Sequence, residues 1–144
     1  MIHIREIDHL VVRVVDVDAS LRFYCGVLGC RIERRQDEIG LIQLRAGSSM
    51  VDLVPLDGKL GRAGGAPPGE EGRNIDHFCF RIDPWDEKAI AEHLAKFGLD
   101  AGAVAPRFGA EGEGPSIYTR DPDGNVVELK GPPFSARPSS ARNE

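Results

Sequence analysis

Two histidines and two acids sit in a repeated pattern along this chain. The segment Ile7-Asp8-His9-Leu10-Val11-Val12-Arg13-Val14 returns 68 residues on, from position 9 to position 77, as Ile75-Asp76-His77-Phe78-Cys79-Phe80-Arg81-Ile82. Each copy later places one carboxylate between apolar residues, Asp52 between Val51 and Leu53 and Glu128 between Val127 and Leu129. An acid among core residues requires a cation, a set of donors or a proton, because an unpaired buried charge is costly. Two imidazoles with one or two carboxylates form a donor set for Zn²⁺, Ni²⁺, Mn²⁺, Co²⁺ or Fe²⁺. His9, His77, Glu128 and Asp52 are therefore the candidate metal ligands. Asp52, one methylene shorter than Glu128, is either a direct ligand, a ligand through water, or an acceptor for backbone groups at a strand end.

These residues need strands to aim them. Both histidine segments are rich in β-branched and aromatic residues, and alternation puts His9, Val11 and Arg13 on one face and Leu10, Val12 and Val14 on the other. The apolar face must pack on a helix. Asp18 is the expected cap of a first helix carrying Leu21, Cys25 and Leu28 and stopped by Gly29. Asp83 or Pro84 opens a second one carrying Ile90, Leu94 and Phe97 and stopped by Gly98. Strand-like runs follow, Arg31–Arg35, Ile39–Ala46 and Met50–Pro55 in the first copy and Ala101–Val104, Ser116–Arg120 and Asn125–Lys130 in the second. The predicted fold is thus α+β, two tandem βαβββ modules whose mixed sheet rolls into a cup. One domain spans 1–131, with module one at 5–56, a Gly- and Pro-rich linker without helix or central strand at 57–74, and module two at 75–131. Residues 132–144 read as a flexible tail.

Composition narrows the function. The formal charge of −5, with scattered Lys and Arg, disfavours nucleic acid. No apolar run approaches the roughly 20 residues of a membrane span, and the start lacks the pattern of a secretory signal, so a cytoplasmic location is expected. Cys25, Cys30 and Cys79, odd in number and without Cys-x-x-Cys spacing, suit reduced thiols. Cys79 shares a face with His77 and either lines a pocket or fills a core. Arg13 and Arg81, four residues past the histidines, either clamp an anionic substrate group or reach solvent. Asp8 and Asp76 read as hydrogen-bonding residues at strand starts, and His3 and His93 as surface residues.

Asp8-His9-Leu10, Phe23-Tyr24-Cys25-Gly26-Val27-Leu28-Gly29 and Asp121-Pro122-Asp123-Gly124-Asn125 leading into Val127-Glu128-Leu129 resemble the vicinal oxygen chelate superfamily. That group includes glyoxalase I, extradiol dioxygenases, fosfomycin-resistance proteins and bleomycin-binding proteins. The resemblance implies metal positions at His9, Asp52, His77 and Glu128, and Glu128 is the expected catalytic base because a metal-linked carboxylate beside the substrate carbon suits general base catalysis. It implies a divalent-metal-dependent lyase or isomerase acting on a small molecule chelated through adjacent oxygens. It also implies a homodimer in which His9 and Asp52 of one chain meet His77 and Glu128 of another. Arg13 stands where glyoxalase I has an arginine for glutathione, whereas Asp52 and Leu56 replace a glutamate and an asparagine of that enzyme. Fosfomycin-resistance proteins carry threonine at the place of Val11. The alternatives are an Fe²⁺ extradiol-type dioxygenase using His9, His77 and Glu128, which leaves coordination positions open, and a non-catalytic protein that sequesters a small molecule or drug.

Overall fold

The computed structural model describes residues 1–135, and most of the expected tail, 136–144, lies outside them. Among the described residues eight strands form two open four-stranded sheets, one in each of two compact units. The first unit holds 1–74 together with Asp121–Asn125. Its sheet has the order β1 (His9–Val14), β4 (Ser49–Pro55), β3 (Leu41–Ala46), β2 (Arg31–Gln36). The second unit repeats that order with β5 (His77–Arg81), β8 (Val126–Lys130), β7 (Gly112–Arg120) and β6 (Ala105–Gly109). In both, the first and last strands of the copy pair in parallel and the other pairs are antiparallel. The tandem βαβββ reading is thus the observed fold.

Alternation along β1 works as expected. Val12 and Val14 are buried, whereas His9 and Val11 are exposed on the other face. The first helix differs in detail from its sequence reading. Asp16, not Asp18, caps α1 (Val17–Leu21), its carboxylate accepting from the Ala19 N–H at 2.9 Å. The chain then widens into a π-helical segment, Arg22–Val27, in which the Leu28 N–H reaches the Phe23 carbonyl. The buried stripe lies one position before the expected one: Ser20, Phe23, Tyr24 and Val27 are buried, while Leu21, Cys25 and Leu28 are only partly covered.

The helix of the second unit, α3 (Glu87–Lys96), is capped by Asp86 rather than by Asp83 or Pro84, its carboxylate accepting from Ala89 N–H at 3.0 Å. It buries Leu94, and Gly98, at φ +71°, closes it with Leu99 N–H on the Leu94 carbonyl. The linker is not devoid of helix. Lys59–Ala63 form the short α2, which fits close to β4 because position 61 is glycine: a Cβ there would sit 1.9 Å from the Pro55 carbonyl oxygen. The strand expected at Ala101–Val104 lies later, at Ala105–Gly109, on the sheet edge where its proline at 106 is tolerated.

The Asp121–Asn125 loop is fixed by one carboxylate. Asp121 is buried and accepts from Tyr24 Oη at 2.7 Å, from the Asn125 side chain and backbone at 2.8 Å each, and from Asp123 N–H at 3.0 Å. Asp123 in turn accepts from the Val15 N–H at 3.1 Å, and Arg73 donates to the Gly124 carbonyl at 3.0 Å. A buried carboxylate with four donors is well satisfied. That explains why the Asp-Pro-Asp-Gly-Asn segment needs each of its polar residues.

Candidate functional site

The first unit assembles His9 and Asp52. Register sets Asp52 opposite Val11 and also opposite Gln43, so all three share the face that carries His9. The His9 ring bonds through Nδ1 to Asp8 Oδ1 at 2.7 Å, which leaves Nε2 free to coordinate. That bond raises the His9 pKa above its ordinary 6.5; desolvation opposes the rise and the charge of Asp52 adds to it. Asp52 is only 4% exposed. Its Oδ2 accepts from Gln43 Nε2 at 3.2 Å, while Oδ1 is buried with no hydrogen-bond partner. An orphaned carboxylate oxygen on a histidine-bearing face is what a cation ligand looks like without its cation.

The second unit repeats the arrangement. His77 Nδ1 bonds to Asp76 Oδ1 at 2.6 Å, and its Nε2 lies 3.3 Å from Oε2 of the buried Glu128. Asp8 and Asp76, read from sequence as bonding residues at strand starts, therefore hold the imidazoles in one orientation. Tyr118 pairs with Glu128 across β7 and β8, and its ring stands edge-on to His77 with centroids 5.8 Å apart. Arg107 donates to the Tyr118 hydroxyl at 3.1 Å and lies over its ring. Tyr118 and Val126 also border a hollow of about 320 Å³ that includes Asp100, Thr119 and Arg120. Sequence reasoning missed Tyr118 and its counterpart Gln43. Alternation along β7 and β3 was legible, but the register that sets these residues opposite the acids was not.

The remaining predicted residues have other partners. Arg13 donates to the carbonyls of Gly61 at 3.0 Å, Gly65 at 2.7 Å and Ala66 at 3.0 Å, tying β1 to the end of α2. It neither points free into solvent nor offers an open fork. Arg81 bonds to Glu111 at 2.5 Å and to its neighbour's carbonyl, Ile82 O, at 2.6 Å. Cys79 pairs in register with Glu128, and desolvation followed by the charge of Glu128 pushes its thiol up to about 12, so it is no thiolate nucleophile at neutral pH.

Each unit thus brings one imidazole Nε2 and one carboxylate to the same face, with His77 Nε2 already against Glu128, and the chemistry of such a pair fits a divalent transition metal. Among the described residues no three or more His, Cys, Asp or Glu gather into a metal-holding set. Within each unit the structure brings one predicted histidine and one predicted acid to the same face. No helix among the described residues is long and apolar enough to cross a membrane.

Comparison with known proteins agrees with the duplicated fold. The chain is 34% identical over 129 residues to virulence protein STM3117 of Salmonella typhimurium, covering 88% of this chain and 83% of that protein. The crystal structure of STM3117 superposes with a TM-score of 0.73 and 27% identity, over 91% of this chain and 99% of the other. Fosfomycin resistance protein FosX of Mesorhizobium japonicum is 44% identical over 57 residues, 40% of each chain. The FosX structure from Mesorhizobium loti gives a TM-score of 0.65 at 25% identity, over 92% of this chain and 96% of the other. An ethylmalonyl-CoA/methylmalonyl-CoA epimerase of Cereibacter sphaeroides is 25% identical over 134 residues, 88% of this chain and 98% of the epimerase. Residues 6–129 match the family model of the glyoxalase folds, and the chain belongs to the Glyoxalase/Bleomycin resistance protein/Dioxygenase superfamily.

Proposed function

We propose that this protein is a divalent-metal-dependent lyase or isomerase of the glyoxalase type, acting on a small molecule that presents two adjacent oxygens. The observation that carries the reading is the doubled imidazole and carboxylate pair, with Asp52 Oδ1 buried and unpartnered and both Nδ1 atoms already engaged by aspartates. His9 and Asp52 of one protomer and His77 and Glu128 of a second complete the ligand set in a homodimer, consistent with the two-fold symmetry common among oligomers.

A divalent metal at this set supplies Lewis-acid polarisation of the substrate oxygens, several kcal/mol of the barrier. The chain's own residues do the rest. Glu128, buried and within 3.3 Å of His77 Nε2, removes a proton from the carbon beside those oxygens and returns it to a neighbouring atom. Asp8 and Asp76 keep the imidazoles turned, and Tyr118 forms a wall beside His77. The similarity to an epimerase favours this proton-transfer class.

The test is elemental analysis of protein purified without chelators, followed by assays on hemithioacetals and small 2-oxo acids after loading with Zn²⁺, Ni²⁺, Mn²⁺, Co²⁺ or Fe²⁺. About one metal per chain and turnover lost in Glu128→Gln are expected. Absence of turnover with every metal contradicts the reading, and a monomeric mass in solution contradicts the shared site. A second reading, a metal-dependent fosfomycin-resistance protein, is favoured by the FosX similarity. It requires that expression in a susceptible strain raise the inhibitory concentration of fosfomycin, and unchanged susceptibility eliminates it.

A further inference from the structure

The face of the first sheet that carries His9 and Asp52 also carries arginines that the fold leaves unused. Across β4, β3 and β2 the register runs from Asp52 to Gln43 to Arg34, so these three side chains stand in one row on that face. Two strand spacings, about 10 Å, separate the backbones of Asp52 and Arg34. Arg34 is exposed, and among the described residues it has no hydrogen bond or ion pair. Arg31 lies on the same face of β2, directly opposite Arg45. Like charges placed opposite one another are unfavourable, and the carboxylate beside them is already spent: Arg45 donates to Glu33 at 2.7 and 3.1 Å.

The second sheet shows what an edge-strand arginine does when the fold employs it. There Arg107, from β6, donates to the hydroxyl of Tyr118, the residue opposite Glu128. In the first sheet the place opposite the acid belongs to Gln43, whose amide donates to Asp52 itself. Arg34 has nothing to hold. Asp37, close by in the chain, is taken by Arg35 at 3.4 Å, and Arg35 pairs with the buried Ile42 and so belongs to the other face. An exposed guanidinium without a carboxylate, one strand from the glutamine that touches a candidate metal ligand, is a fork open to an incoming anion.

We infer that Arg34, with Arg31 adding its charge from the same face, binds a carboxylate of the substrate. The inference rests on the proposed function in placing a cation at His9 and Asp52, and it narrows the substrate to a class. That class is small acids with two adjacent oxygens for the cation and a second, negatively charged group a few bonds away, over Gln43. The guanidinium offers two parallel N–H donors to such a group, so it fixes the orientation of the substrate as well as selecting its charge. Arg34 is thus a specificity residue and takes no part in proton transfer.

The test uses the full-length chain loaded with Mn²⁺ and measures, by isothermal titration, the binding of a pair of 2-oxo acids that chelate alike. One is 2-oxobutyrate, with no distal charge, and the other is 2-oxoglutarate, with a second carboxylate. The wild type is expected to prefer 2-oxoglutarate by about three- to tenfold, as for a charge-assisted contact at a partly exposed place, and added salt should shrink the preference. Arg34→Gln should abolish it while leaving 2-oxobutyrate binding and the unfolding temperature unchanged. Arg34→Lys should keep part of it, and Arg31→Gln should reduce it. Arg35→Gln is the control: charged residues on an edge strand also block strand addition, a role Arg35 shares from the other face, so this variant should keep the full preference. Equal affinities for the two acids in the wild type, or a preference that survives in Arg34→Gln or disappears in Arg35→Gln, overturns the subsite. Mn²⁺ affinity measured on the same proteins separates the two claims. Mn²⁺ bound without an Arg34-dependent preference leaves the metal reading standing and removes the subsite. If Mn²⁺ does not bind, the metal reading falls, and glutarate titrated into the metal-free protein decides the subsite: binding weakened in Arg34→Gln keeps it, and no binding, or binding indifferent to Arg34, removes it.

Discussion

Replacing Asp52 by asparagine should strengthen the metal-free fold and abolish its metal affinity together. The wild-type carboxylate is 4% exposed and receives one described hydrogen bond, from Gln43, while Oδ1 has none. Asparagine keeps an oxygen for Gln43 and removes the uncompensated charge. An unpaired buried polar atom costs about 1–3 kcal/mol and more when charged; the asparagine Nδ2 stays unpaired, so the relief is the charge excess alone, about 1 kcal/mol at pH 8. For a domain of this size that corresponds to a rise of roughly 2–5 °C in Tm. Metal reverses the order: the wild type gains RT ln(1 + [M]/Kd), about 2.7 kcal/mol at a hundredfold excess over Kd, and Asp52→Asn loses most of that gain. Calorimetric scans of both proteins, with chelator and with Mn²⁺, provide the assay. A metal-free Asp52→Asn that unfolds below the wild type, or that is stabilised by Mn²⁺ as strongly, refutes the reading of Asp52 as a ligand poised for a cation.

Asp76→Asn should leave the fold intact and weaken metal binding about 10–100-fold, because Asp76 only orients the His77 ring; an unchanged affinity by isothermal titration argues against that role. Asp121→Ala strands the donors of Tyr24, Asn125 and Asp123, and should cost about 3–5 kcal/mol in urea unfolding, since each buried group left unpaired costs about 1–3. A loss below 1 kcal/mol on that same scale would mean the loop re-pairs with water. The pH dependence should show Tyr24. Burial first, and then Asp121, raise its phenol above the ordinary 10 in the folded state. Above pH 10 the unfolded chain releases that proton while the folded chain keeps it, so stability falls by up to about 1.4 kcal/mol per pH unit. Tyr24→Phe should be less stable near neutrality but lack this alkaline slope in denaturant midpoints, and an unchanged slope contradicts the assignment.

Much of the architecture was written in local pattern. The eight-residue repeat around His9 and His77, the period-2 alternation and the turn-rich spacing carry the tandem βαβββ order, because strand faces depend on parity alone. Helix ends were less legible. Asp16 and Asp86 compete with Asp18 and Asp83 as caps, and the choice depends on which carboxylate reaches an N–H in three dimensions. The π-helical widening at Arg22–Val27 likewise leaves no mark in the apolar period, since the buried Ser20, Phe23, Tyr24 and Val27 keep the i, i+3, i+4, i+7 spacing of an ordinary helix.

For the site, sequence alone determined which residues have metal chemistry and that they come in equivalent pairs, since residue type and repeat position are properties of the chain. Tertiary structure decided what each one faces. It set Asp8 and Asp76 behind the imidazoles, Gln43 and Tyr118 opposite the acids, and Arg13 among backbone carbonyls, and it left Asp52 Oδ1 without a partner. The physical reason is strand register: a one-residue slip exchanges the faces, and register is set by how distant strands pack, not by any stretch of sequence read by itself.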